Sequence, residues 1–76
     1  MCRMVLDSLE NATGDRCVDL FRREDGTFGF EEFRRDAEDG GLWHSLDRHG
    51  RLAFATESEA RSQAKAGVAW LAAQDD

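Results

Sequence analysis

Two segments of alternating apolar and polar residues, separated by Glu24-Asp25-Gly26, constrain this chain more than anything else in it. In Arg16 to Arg23, Val18 and Leu20 fall on one side while Cys17, Asp19 and Phe21 fall on the other. In Thr27 to Asp36, Phe28 and Phe30 share one side, and Gly29, Glu31 and Phe33 the other. Alternation with period two over such lengths, bounded by glycine and acids, reads as two β-strands. A type I turn closed by a glycine in the left-handed region makes a three-residue hairpin loop with a bulge. That loop pairs Arg23 with Thr27 and Leu20 with Phe30. A two-residue Asp25-Gly26 turn would instead set Leu20 against Glu31 and bury an acid. Because a slip of one residue flips every side chain to the other face, burial selects the longer loop.

Residues 42–47 read as a third strand. Arg48-His49-Gly50 repeats the loop chemistry of the first hairpin, so residues 52–55 read as a short fourth strand that pairs Leu46 with Leu52 and His44 with Phe54. Between the second and third of these strands, pairing Phe30 with Leu46 and Phe33 with Trp43 keeps the apolar sets together. Thr56-Glu57-Ser58-Glu59 is a capping box that opens a helix over residues 57–72. Along it Ala60, Ala64, Gly67, Val68 and Leu71 recur at helical spacing, with Trp70 beside them covering a sheet edge. Such a thin stripe suits a helix lying close on a sheet with large residues of its own, and close approach would explain a glycine inside the helix.

The expected architecture is α+β. It has an antiparallel meander of three to four strands (16–23, 27–36, 42–47 and 52–55) and one C-terminal helix packed on one face. The helix is expected to cover Val18, Leu20, Phe28, Phe30, Leu46, Leu52 and Phe54. The chain of 76 residues reads as one domain: an N-terminal segment (1–14), the meander (16–55), the capped helix (56–72) and a tail (73–76). Met4, Val5, Leu6 and Leu9 fit no clean period, and the N-terminal segment is expected to be a short helix or coil.

The face away from the helix is expected to carry Cys17, Phe33, Trp43 and Ala55 as a row, with Phe21 over Gly29 nearby. An apolar row on a small domain must be covered or must bind something. Met4 to Leu9 is the uncommitted apolar stretch, so it is expected to fold over this row, with self-association through the row as the alternative.

Net charge and composition narrow the functional classes. The chain has ten basic and sixteen acidic residues, a net charge of −6, so nucleic acid and anionic membranes repel it unless its bases segregate. They do not: residues 16–55 interleave seven arginines with nine acids. No uninterrupted apolar run, Met4 to Leu6 and Val68 to Ala73 included, is long enough for a membrane span or a signal-peptide core. Cys2 and Cys17 therefore read as reduced thiols in a cytoplasmic protein.

No strong chemical motif is present. Cys2, Cys17, His44 and His49 are the soft metal ligands, but the cysteines lack short-spaced partners, so no metal and no cofactor are expected. Cys17 and His44 fall on opposite faces of the sheet, which argues against a thiol–imidazole nucleophile. Glu32 and His44 share the helix-facing side and read as a polar pair closing the end of the core, although a carboxylate beside an imidazole is also the make-up of a general base. Asp19 and Glu31 oppose each other on the other side, an unfavourable pairing unless each finds its own partner.

Phe54-Ala55-Thr56, leading into Glu59-Ala60 and ending at Trp70-Leu71, is similar in layout to the sheet-then-helix domains of HicB-type antitoxins. The resemblance spans residues 54–71, lacks the glycine-containing strand motif before the helix, and transfers no functional residue. The leading expectation is a non-enzymatic interaction module. It would use the open sheet face (Phe21, Phe33, Trp43 and Cys17) or a sheet edge to bind a protein partner or a second copy. An antitoxin-like regulator and a small metal- or thiol-dependent protein are the alternatives.

Overall fold

The computed structural model describes residues 3–36, 38 and 40–74. Cys2 and the end of the expected tail lie outside the described residues. Within them the chain forms β1 (Arg3–Glu10), β2 (Arg16–Arg23), β3 (Phe28–Arg35), β4 (Trp43–Ser45), α1 (Glu57–Gly67) and α2 (Ala69–Gln74). The strands make one four-stranded antiparallel sheet in the order β1-β2-β3-β4, and the helices lie on one face. The fold is α+β.

The first hairpin forms as the loop chemistry requires. Arg23 donates its amide to the Thr27 carbonyl at 2.8 Å, and Leu20 stands opposite Phe30. Gly26 has φ of 88°, the left-handed conformation that closes the bulged loop. The Asp25 carboxylate accepts from the Thr27 amide at 3.0 Å and from the Thr27 hydroxyl at 2.7 Å. The hydroxyl bond, then the amide bond, lower the Asp25 pKa below its ordinary value.

The N-terminal segment is neither helix nor coil, and it does not lie over the sheet. It pairs in the sheet plane as β1, from Arg3 opposite Arg23 to Glu10 opposite Cys17, with a bulge between Val5 and Asp7. The reason is the β2 ladder: a strand buried on both faces needs partners for its backbone groups on both edges. The bulge brings Asp7 and Leu9 to the helix face, opposite Leu20 and Val18, and there Asp7 pairs with Arg61 at 3.2 Å.

The second hairpin does not form. The expected strand 52–55 is reduced to one bridge, in which Phe28 and Phe54 exchange both backbone bonds at 2.8 Å. Leu46 therefore does not meet Leu52, nor His44 Phe54, and Leu52 and Ala55 are exposed rather than in the core and the row. The strand expected over 42–47 is confined to β4. Its register against β3 is displaced by two residues, with Ser45 opposite Phe33 and Trp43 opposite Arg35. A shift of two preserves the faces, so His44 still points to the helix side.

The core consists of Val18, Leu20, Phe30, Ala60, Ala64, Val68 and Leu71, with Leu9, Phe28, Phe54 and Trp70 packed at its margins. The two alanines let α1 sit close on the sheet, while the Phe30 ring stacks on Phe54 and tilts against His49. Thr56 caps α1 by accepting from the Glu59 amide at 3.1 Å. The return bond of the capping box reaches the Ala55 amide, one residue earlier than the pattern implies. The helix is not continuous to residue 72. It stops at extended Val68 (φ −119°, ψ 103°), just after Gly67, and restarts as α2. Gly67 is exposed, and its missing Cβ faces the His49 ring rather than the sheet. The break delivers Trp70 to the sheet edge, where its indole Nε1 donates to Glu32 at 2.9 Å.

Candidate functional site

The face away from the helices carries Cys17, Phe21, Phe33 and Trp43, but arginines roof much of it. The guanidinium of Arg3 lies 4.1 Å from the centre of the Phe21 ring and that of Arg23 4.9 Å from it. Phe21 also fills the space over Gly29, and only 1 % of it is exposed. Arg35 covers Trp43 in the same way at 4.6 Å, while donating to the Gly14 carbonyl at 2.6 Å. Cation–π contacts of this kind stabilise both partners and screen the ring from water. Of the four expected face residues, Phe21 and Cys17 are buried, Phe33 is half-buried, and Trp43 is exposed at its rim.

A shallow concavity of about 240 Å³ remains beside Cys17, lined by Ser8, Glu10, Cys17, Asp19, Phe33 and Trp43. Burial, then the charges of Asp19 and Glu10, push the Cys17 thiol up to about 11. The thiol is therefore protonated near neutral pH, and it does not have the lowered pKa of a nucleophilic cysteine.

The opposed acids Asp19 and Glu31 are resolved by separate donors. Asp19 accepts from the Ser8 hydroxyl at 2.6 Å. Glu31, 3 % exposed, turns to the loop after β4. It accepts from the amides of Arg48 and His49 at 3.3 Å and of Gly50 at 2.8 Å. Arg23 holds the same loop from its other side through the carbonyls of Gly50 at 2.7 Å and Leu52 at 3.0 Å. Sequence reasoning misses this arrangement because it treats Arg48-His49-Gly50 as a hairpin turn.

Glu32 and His44 lie on the helix face, one step apart. Glu32 sits across from Leu46, whose amide donates to its carbonyl at 2.9 Å, and His44 sits across from Arg34. The Glu32 carboxylate takes the Trp70 indole and lies 3.9 Å from Arg48. Both acids buried in the sheet thus hold structural partners. Among the described residues, no group of three or more His, Cys, Asp or Glu side chains is placed to hold a metal ion. No described helix is long and apolar enough to cross a membrane.

The exposed feature that sequence reasoning does not place is the outer edge of β1. Met4, Val5 and Leu6 are 64 %, 51 % and 37 % exposed, and the strand is first in the sheet order. The direction of its backbone groups follows from the ladder. Arg23 bonds toward Thr27, so the odd residues of β2 aim at β3 and the even ones at β1. Met4, Asp7 and Leu9, opposite Arg22, Leu20 and Val18, therefore turn inward to β2. Arg3, Val5, Ser8 and Glu10, opposite Arg23, Phe21, Asp19 and Cys17, aim their amides and carbonyls away from the sheet. The signal in the sequence is the broken period of Met4-Val5-Leu6-Asp7, which is what a bulge produces.

No family model matches this chain, and no curated protein or solved structure matches it either.

Proposed function

We propose that this chain is a non-enzymatic protein-interaction module that works through the outer edge of β1, with the Phe33–Trp43 concavity beside it as a secondary contact. The observation that carries this reading is the exposure of Met4, Val5 and Leu6 on an eight-residue edge strand. An edge strand is a template for a further strand, and here the exposed Met4-Val5-Leu6 segment interrupts the charges (Arg3, Asp7 and Glu10) and the bulge that otherwise blunt the edge. The structural engagement of Glu31, Glu32 and Cys17 supports the non-enzymatic part. The partner is a protein rather than nucleic acid, because the acids interleave with the arginines along the strands. A buried, protonated Cys17 suits the reducing cytoplasm.

The test places a photo-crosslinking residue at Leu6 or, as a control on another exposed apolar position, at Leu42. Adducts from position 6 are expected, and Ser8→Pro should remove them. That substitution deletes an outward amide while leaving the ladder to β2 intact. Adducts from position 42 alone would contradict the reading.

A further inference from the structure

We infer that the strand which completes this edge is β1 of a second copy, paired antiparallel about a two-fold axis perpendicular to the sheet. The inference rests on the edge-interaction reading and specifies its partner. One register is singled out by the backbone. Arg3, Val5, Ser8 and Glu10 aim their hydrogen-bonding groups outward, and a partner strand must present outward groups at the same heights. Setting Arg3 against Glu10 of the second copy also sets Val5 against its Ser8. The two-fold axis repeats both pairs, so every outward residue meets another outward residue. No other antiparallel register does this for all of them, because the bulge between Val5 and Asp7 breaks the simple alternation.

Charge selects the same register. Arg3 at one end of β1 meets Glu10 at the other end of its copy, twice per dimer, and directly opposed unlike charges favour cross-strand pairing. On the helix face, Met4 falls beside Leu9 of the second copy. This places an exposed methionine against a leucine that already packs at the margin of the core. Near the axis Leu6 meets Asp7, whose carboxylate is held by Arg61 and does not face the joint alone. The product is a continuous eight-stranded sheet, twice the four strands of one chain, with helices on one face.

The charge pattern gives a test that does not depend on loss of folding. With Arg3→Glu alone, two glutamates would oppose each other at each end of the joint. With Glu10→Arg alone, two arginines would do so. Sedimentation velocity of the full chain over a concentration series should show a dimer that each single variant weakens by about tenfold or more. An equimolar mixture of the two variants should regain it as a heterodimer, because each end of that joint then pairs a glutamate of one chain with an arginine of the other. The double variant Arg3→Glu/Glu10→Arg should also regain it. A chain that stays monomeric at millimolar concentration overturns the inference, and so does a dimer that neither single variant weakens. The Leu6 crosslink separates the two levels. An adduct with the mass of two chains supports self-pairing. An adduct with a different protein overturns self-pairing and leaves the edge reading standing, and no adduct from position 6 overturns both.

Discussion

The carboxylate of Glu31 lies 2.8 Å from the amide nitrogen of Gly50, nineteen residues further along the chain, and this bond fixes the loop that replaces the second hairpin. Two neighbouring amides reinforce it, and the acid is buried. Replacing the acid by its amide keeps the shape but leaves these partly buried N–H groups facing a weaker acceptor. Glu31→Gln should therefore cost roughly 1–3 kcal/mol, read as a lower urea midpoint with faster amide exchange at residues 48–50. Gly50→Ala should act in the same direction, because its Cβ would stand 2.6 Å from the Glu31 carboxylate oxygen. An unchanged midpoint in both variants would show that the loop is held by something else.

Gly26 and Gly29 should resist substitution for different reasons. At Gly26 there is open space around a Cβ, but φ is 88°. Gly26→Val should thus cost about 1–2 kcal/mol from backbone alone, and Gly26→Asn much less. At Gly29 the added Cβ would meet the Phe21 ring at 2.9 Å and the Arg23 guanidinium at 3.0 Å. Gly29→Val should cost about 1–3 kcal/mol by overpacking and should lift Arg23 off the ring. Chemical denaturation of the three variants gives the ranking.

Loss of the α1 cap is a local effect. Thr56→Ala removes the acceptor for the Glu59 amide and should lower stability by roughly 1 kcal/mol without altering the sheet. Far-UV circular dichroism with a urea titration checks both parts.

Alkaline stability should report Cys17. Burial, then Asp19 and Glu10, raise the thiol from its ordinary 9.0 to about 11. With a raised native value, the unfolded thiol ionises first. The stabilising difference is complete below about 9 and is lost as pH rises toward about 11. Cys17→Ala should therefore flatten the fall in urea midpoint across this window relative to the native chain. Parallel curves would mean that the thiol is freely solvated.

How much of this is legible in the sequence depends on whether the deciding interaction is local. The Glu24–Gly26 hairpin and the Thr56 cap are set by neighbouring residues, so register and helix start can be read directly. β1 cannot, because its bulge destroys the alternation that marks a strand. The Arg48–Gly50 turn misleads because Glu31 and Arg23, distant in sequence, override its local preference. The apolar row reads as open because a sequence does not reveal which arginines lie across which rings. Its parity nevertheless survives, since the displacement of β4 is by two residues and not one.

The most direct measurement of the central claim is amide exchange along β1 by NMR at low and high protein concentration. The outward amides of Arg3, Val5, Ser8 and Glu10 should exchange quickly when dilute and become protected as concentration rises. Those of Met4, Asp7 and Leu9, bonded to β2, should be protected throughout. Outward amides that exchange at the same rate at every concentration, or protection that grows around Trp43 instead, would contradict an account in which the edge of β1 is the interacting surface and a second copy its partner.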